Sequence, residues 1–138
     1  MDRRSRAREI TMQVLYQLDV QGAEFLDQLD IFVRAESDDD VVRSLAEGWS
    51  KEAWANISAC DELIQKVAAK WDMARMSSVD RSILRLGAYQ LKFCSDIPGK
   101  VIINEAIEIA KKYSGSQSPR FINGVLDAVL GDVRHRPN

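Results

Sequence analysis

Cysteine, proline and histidine are scarce in this 138-residue chain, at two, three and one copies. Cys60 and Cys94 stand far apart with no CxxC pair and no histidine at ligand spacing, which argues against a disulfide framework or a zinc site and for buried, reduced thiols. The one histidine, His135, falls in the tail Arg134–Asn138, so a histidine-based catalytic triad has no base to build on. Neither a metal nor another cofactor is expected. Long apolar runs are also missing: no stretch approaches the roughly 18 residues of a membrane span, and no apolar h-region follows the N-terminal arginines. A soluble, cytoplasmic protein is therefore expected. Strand patterns are absent too, since no alternating apolar and polar run is bounded by turn residues.

What the chain does have is helical periodicity. Ile103, Ala106, Ile107, Ala110 and Tyr113 share one helical face, and Ile122, Val125, Leu126, Val129, Leu130 and Val133 share another. With only Ser114–Pro119 between them, these segments are expected to form an antiparallel helical hairpin, the seed of the core. Asn123-Gly124 is a turn dipeptide in isolation, yet the stripe runs through it in phase. Gly124 is accordingly expected at a close helix–helix contact.

The remaining segments read the same way. Residues 3–20 place Ile10, Val14, Leu15 and Leu18 inward, and Gly22 ends that helix; residues 24–35 offer Phe25, Leu29, Phe32 and Val33. The acidic link 36–40 supplies an N-cap for a long helical stretch from Val41 to Trp71, with a break near Asn56 or Ser58 left open. Ser77-x-x-Asp80 has the form of a capping box opening a central helix that runs to about Cys94. Trp49, Trp54 and Trp71 are read as core anchors. The expected fold is all-α, one domain over residues 1–138 with about seven helices, long enough to bury a core unaided.

A formal net charge of -2 conceals strong asymmetry. Residues 1–8 hold Arg3, Arg4, Arg6 and Arg8 against Asp2 alone; residues 19–47 hold nine acids against two arginines; residues 81–138 hold nine bases against five acids. A local basic footprint is what attracts phosphate, whatever the total. Two rings fall off the apolar stripes: Tyr16 nearly opposite its helix's inner face, and Phe121 at the edge of the last stripe beside Arg120. Either neighbouring helices cover these rings, or they stack on unpaired bases while the arginines pair phosphates. Lys111 and Lys112 suit the C-terminal end of their helix. Glu105 and Glu108 are i, i+3 carboxylates without a second acid, base or metal ligand nearby, so they read as a polar face and no catalytic constellation emerges.

Several segments together resemble one family. Arg4–Glu9 leading to Gln13-Val14-Leu15-Tyr16, then Val79–Arg85, Pro98 with Val101–Lys111, and Phe121–Asp127 are similar, in order and across the chain, to the bacterial antitermination factors of the NusB family. The resemblance implies an all-α, non-enzymatic RNA-binding protein. Its expected partners are boxA RNA of nascent ribosomal transcripts, a small-subunit ribosomal protein acting as NusE, and the antitermination complex on RNA polymerase. On the family pattern the RNA side includes Arg4, Arg6, Arg8, Tyr16 and Phe121, and Asp80 at its helix start contacts the partner protein; Arg3 and Arg120, close in sequence to the two rings, and Gln117 are expected on the RNA side with them. Ser5 interrupts what is often a fuller arginine run, and Gln117 replaces an acid found in some members. NusB-like domains also occur fused to RNA cytosine methyltransferases, but no glycine-rich cofactor loop supports that reading here. The alternative from another class is a helical interaction module or homodimer that binds no RNA.

Overall fold

The computed structural model describes residues 2–134 and contains seven α-helices and two 3-10 helices, with no strand among the described residues. The tail with His135 lies outside them. The elements are α1 (Arg3–Gln21), a 3-10 helix (Ala23–Gln28), α2 (Leu29–Glu36), α3 (Asp40–Ala55), α4 (Ile57–Val67), a 3-10 turn (Met73–Arg75), α5 (Ser78–Phe93), α6 (Gly99–Tyr113) and α7 (Ser118–Val133).

Local chemistry sets most of these boundaries. Asp2 caps α1 by accepting from the Arg4 backbone N–H at 2.8 Å, and Gly22 ends the helix at φ +92°, a conformation that side-chain-bearing residues rarely adopt. Asp39 caps α3 by accepting from the backbone N–H groups of Val41 and Val42. The break left open falls at Asn56, whose side-chain amide donates to the Glu52 carbonyl. The segment expected as one helix over 24–35 divides at Gln28, yet Phe25, Leu29 and Val33 are all buried as their spacing implies.

Two helices lie at the centre. α1 packs on α3 and α5, α5 also meets α4, and the α6–α7 hairpin closes over α5. On α5 the buried positions run from Ser82 to Leu91 with only Arg85 half-exposed, the wide arc expected of a helix covered on several sides. The α6 stripe is rotated from its expected centre. Ile102 and Ile109 are buried and Ile107 only partly so, because the helix fills the angle between α5 and α7.

Three expectations are corrected. Gly124 faces open space; the tight approaches are at Gly87, where an added Cβ would lie 2.6 Å from Leu126, and at Gly99, 2.7 Å from Leu130. The α6–α7 link is shorter than expected, because Ser118 and Pro119 already begin α7, proline suiting the first turn where its missing N–H is not needed. Trp71 is not a core anchor: α4 stops at Val67, and the indole is 56% exposed, whereas Trp49 and Trp54 pack against the core. Cys60 and Cys94 are buried free thiols, and burial, with the nearby Asp61 charge, pushes the Cys60 pKa up to about 12.

Candidate nucleic-acid interface

The first turns of α1 carry all four expected arginines, but in very different states. Arg3 and Arg4 are exposed; Arg3 Nε pairs with Asp39 Oδ2 at 2.8 Å, while Arg4 makes no ion pair among the described residues. Arg6 is half-buried, donating to Glu9 Oε1 and to the Glu36 carbonyl, each at 2.9 Å.

Arg8 departs from expectation. It is 2% exposed, with Nε donating to Gln90 Oε1 at 2.9 Å, Nη1 to Glu105 Oε1 at 2.7 Å, and its guanidinium 5.3 Å from the centroid of the Trp49 ring. Buried with its Nε and Nη1 engaged inside the fold, Arg8 offers no surface charge to a phosphate. Glu105 is corrected with it: this carboxylate also accepts from the Ser5 hydroxyl and is the partner of a buried arginine, while Glu108 stays on the exposed face.

From Arg6 a continuous chain of polar contacts crosses to the end of α6. Glu9 accepts from Arg6, from Lys112 Nζ at 3.0 Å and from the Tyr113 hydroxyl at 2.8 Å, and Gln13 donates to that same hydroxyl at 3.2 Å. Lys112 thus bridges two helices, a larger part than its expected one of completing its own helix end. Burial raises the Glu9 pKa, but the hydrogen bonds from Tyr113 and Lys112 and the charges of Lys112 and Arg6 outweigh it and hold the carboxyl below its ordinary range. Tyr113 is pushed up to about 12 by burial and by its bond to Glu9. Tyr16, half-buried, lies one helical turn beyond Gln13 and one before Asp19. Asp19 accepts from Arg81 Nη2 at 2.7 Å and Arg85 Nη1 at 2.9 Å, so Tyr16 stands between the end of α6 and the start of α5.

At the start of α5 the capping box is half realised. Ser77 Oγ accepts from the Asp80 backbone N–H at 3.1 Å, but the Asp80 carboxylate turns to the α6–α7 link. The Ser114 and Ser118 hydroxyls lie 2.6 and 3.1 Å from its two oxygens and 2.8 Å from each other. These are three contacts for two hydroxyl protons to share. Asp80 therefore ties α5 to both ends of the link that carries Gln117. Gln117 and Arg120 are exposed, and Phe121 is half-buried, packed on the core at one side.

On its other side Phe121 meets Trp71, ring centroids 5.3 Å apart at 67°, an edge-to-face pair. The two rings, with Lys70, Arg75, Asp80 and Arg120, border a groove of about 800 Å³. Sequence reasoning missed Trp71, Lys70 and Arg75. The usable signal was Asp72, which caps the 3-10 turn by accepting from the Ala74 N–H and marks the end of helical geometry before it.

Fold and surface together define an all-α bundle whose exposed groups, single cations and aromatic rings beside short links, suit contact with phosphate and base. The model of the NusB family matches residues 5–131. The transcription antitermination protein NusB of Anaeromyxobacter dehalogenans is 44% identical over 132 residues, covering 95% of this chain and 92% of that relative. Among solved structures, NusB of T. maritima superposes at a TM-score of 0.83 with 35% identity, covering 96% of this chain and 92% of that one. A crystal structure of antitermination factors NusB and NusE in complex with dsRNA gives a TM-score of 0.87 at 26% identity, covering 96% and 98% of the two chains. The chain belongs to the NusB family.

Proposed function

We propose that this protein is a transcription antitermination factor. It binds boxA RNA of nascent ribosomal transcripts together with a small-subunit ribosomal protein acting as NusE, and joins the antitermination complex on RNA polymerase. The carrying observation is the family match over residues 5–131, with a fold shared by a NusB that was crystallised with NusE and RNA.

The role is one of binding without chemistry, in the cytoplasm, by residues 1–138 acting as one RNA-binding helical domain. Among the described residues no helix is long and apolar enough to cross a membrane. Arg4 and Arg120 supply the free phosphate-pairing charge, to which Arg3 adds from its exposed pair with Asp39. Tyr16 and Phe121 supply the stacking faces, and Gln117 a side-chain amide able both to donate to and accept from a base edge. The start of α5 at Asp80 contacts the ribosomal partner. A titration with boxA-type RNA in rising salt tests the proposal. Affinity that falls linearly with salt on logarithmic axes supports it, and no affinity even with the ribosomal partner present would sink it.

A further inference from the structure

We infer that the groove between loop 68–77 and the start of α7 seats one unpaired RNA base against the indole of Trp71, its flanking phosphates held by Lys70, Arg75 and Arg120. The inference rests on the RNA-binding reading and adds to it a site, a stacking ring and two cations.

Trp71 is the largest exposed apolar side chain among the described residues, and burial in the core does not account for its position. Its backbone is nevertheless held firmly. Gln65 Nε2 donates to the Trp71 carbonyl at 2.8 Å and to the Ala68 carbonyl at 3.3 Å, and Gln65 Oε1 accepts from the Met73 N–H at 3.4 Å. Arg81 Nη1 then fastens the far side of the loop through the carbonyls of Met73, at 2.6 Å, and Met76, at 3.1 Å. Polar braces from α4 and α5 thus fix the backbone that carries the exposed indole, which lowers the ordering cost of stacking on it.

Phe121 makes that indole one wall of a corner. With the rings at 67°, a planar base lying flat on Trp71 meets Phe121 across the corner, so two aromatic contacts form at once. The charges favour a polyanion. Lys70, Arg75 and Arg120 are exposed and make no ion pair among the described residues. Two carboxylates also line the groove, Asp72 capping the 3-10 turn and Asp80 holding the two serines, so three cations face two anions and the cations alone are exposed without a bonded partner among the described residues. Stacking platforms for single strands pair aromatic rings with a cationic rim, as found here.

The test compares wild type, Trp71→Ala and Trp71→Phe for binding to boxA-type RNA, with and without the ribosomal partner, using single-abasic versions of the RNA as a second variable. Trp71→Ala is expected to raise Kd about tenfold, the scale of one lost base stack. Trp71→Phe should stay near wild type, and both variants should keep the helical fold by circular dichroism, Trp71→Ala losing only the modest Tm contribution of its edge-to-face contact with Phe121. One abasic position should weaken wild type and leave Trp71→Ala no weaker than before. Equal RNA affinity of wild type and Trp71→Ala would overturn the inference while leaving the RNA-binding reading intact. So would a Trp71→Ala defect confined to binding of the ribosomal partner, which would give the groove to a protein instead. Failure of wild type itself to bind the RNA would overturn both.

Discussion

At the start of α1, four arginines between Arg3 and Arg8 leave little free charge, whereas around the Trp71–Phe121 corner three cations scattered through the sequence keep all of theirs. Arg8 is locked to Gln90 and Glu105 and Arg6 to Glu9 and the Glu36 carbonyl, while Arg3 holds only an exposed pair with Asp39; Lys70, Arg75 and Arg120 make no such pairs among the described residues. A basic run in the sequence is therefore not a basic surface. Half-buried Arg6 and buried Arg8 join α1 to its neighbours, and the charge open to a ligand lies mainly in Arg4 and at the aromatic end.

The sharpest way to break this contrast is to remove Arg8. Arg8→Ala strips a buried charge from Glu105 and leaves the Gln90 side-chain oxygen without its donor, so stability should fall by about 3 kcal/mol. Denaturant unfolding reads this directly, and a variant as stable as wild type would mean that Arg8 is not structural. Arg4→Ala, four residues earlier, should leave the unfolding midpoint where it was.

Next in size are the rings. Tyr16→Ala and Phe121→Ala should each raise the Kd for boxA-type RNA about tenfold. Circular dichroism should show the helical fold retained in both, although Phe121→Ala also removes a ring that packs on the core and should lower Tm modestly. Unchanged RNA affinity in both variants would favour a helical interaction module over an RNA-binding protein.

A smaller effect follows from Glu9, whose carboxyl is held below its ordinary 4.5 despite the opposing effect of burial. A depressed folded-state pKa contributes stability that is fully present above the unfolded value and is lost as pH falls through the folded one. Stability should therefore decline below about pH 4.5, and Glu9→Gln should lower it at neutral pH while flattening that acid limb. Asp19 adds to the same limb: burial opposes, but bonds from Arg81, Ser78 and Arg85 hold its carboxyl low. An acid limb identical in wild type and Glu9→Gln would show that the contacts linking α1 to the end of α6 add little to stability.

Much of the fold was legible because it rests on local rules. The stripes of α1, α5 and α7, the caps at Asp39 and Ser77 and the stop at Gly22 depend on residues within a few positions of each other. What escaped depends on contacts distant in sequence. Arg8 sits within an arginine run, and only the arrival of Gln90 and Glu105, more than eighty residues later, buries it. Gly124 was in phase with a packing stripe but lies on the open side of α7, while Gly87 and Gly99 meet Leu126 and Leu130. Trp71 continued a helical pattern that the backbone had already left at Val67, so its period pointed inward and its ring points out. The Asp80 motif was readable as a cap, but its carboxylate was claimed by serines on a different helix and its link.

The most direct measurement is the slope of log affinity against log salt for boxA-type RNA, with the ribosomal partner present, in wild type and in the double variant Arg4→Ala/Arg120→Ala. Both cations are exposed and free of ion pairs among the described residues. Each should account for about one released counterion, so the slope should be shallower by about 2 while the unfolding midpoint is unchanged. An unaltered slope in a folded double variant would contradict the account, because the charge reaching the RNA would then come from elsewhere on the molecule.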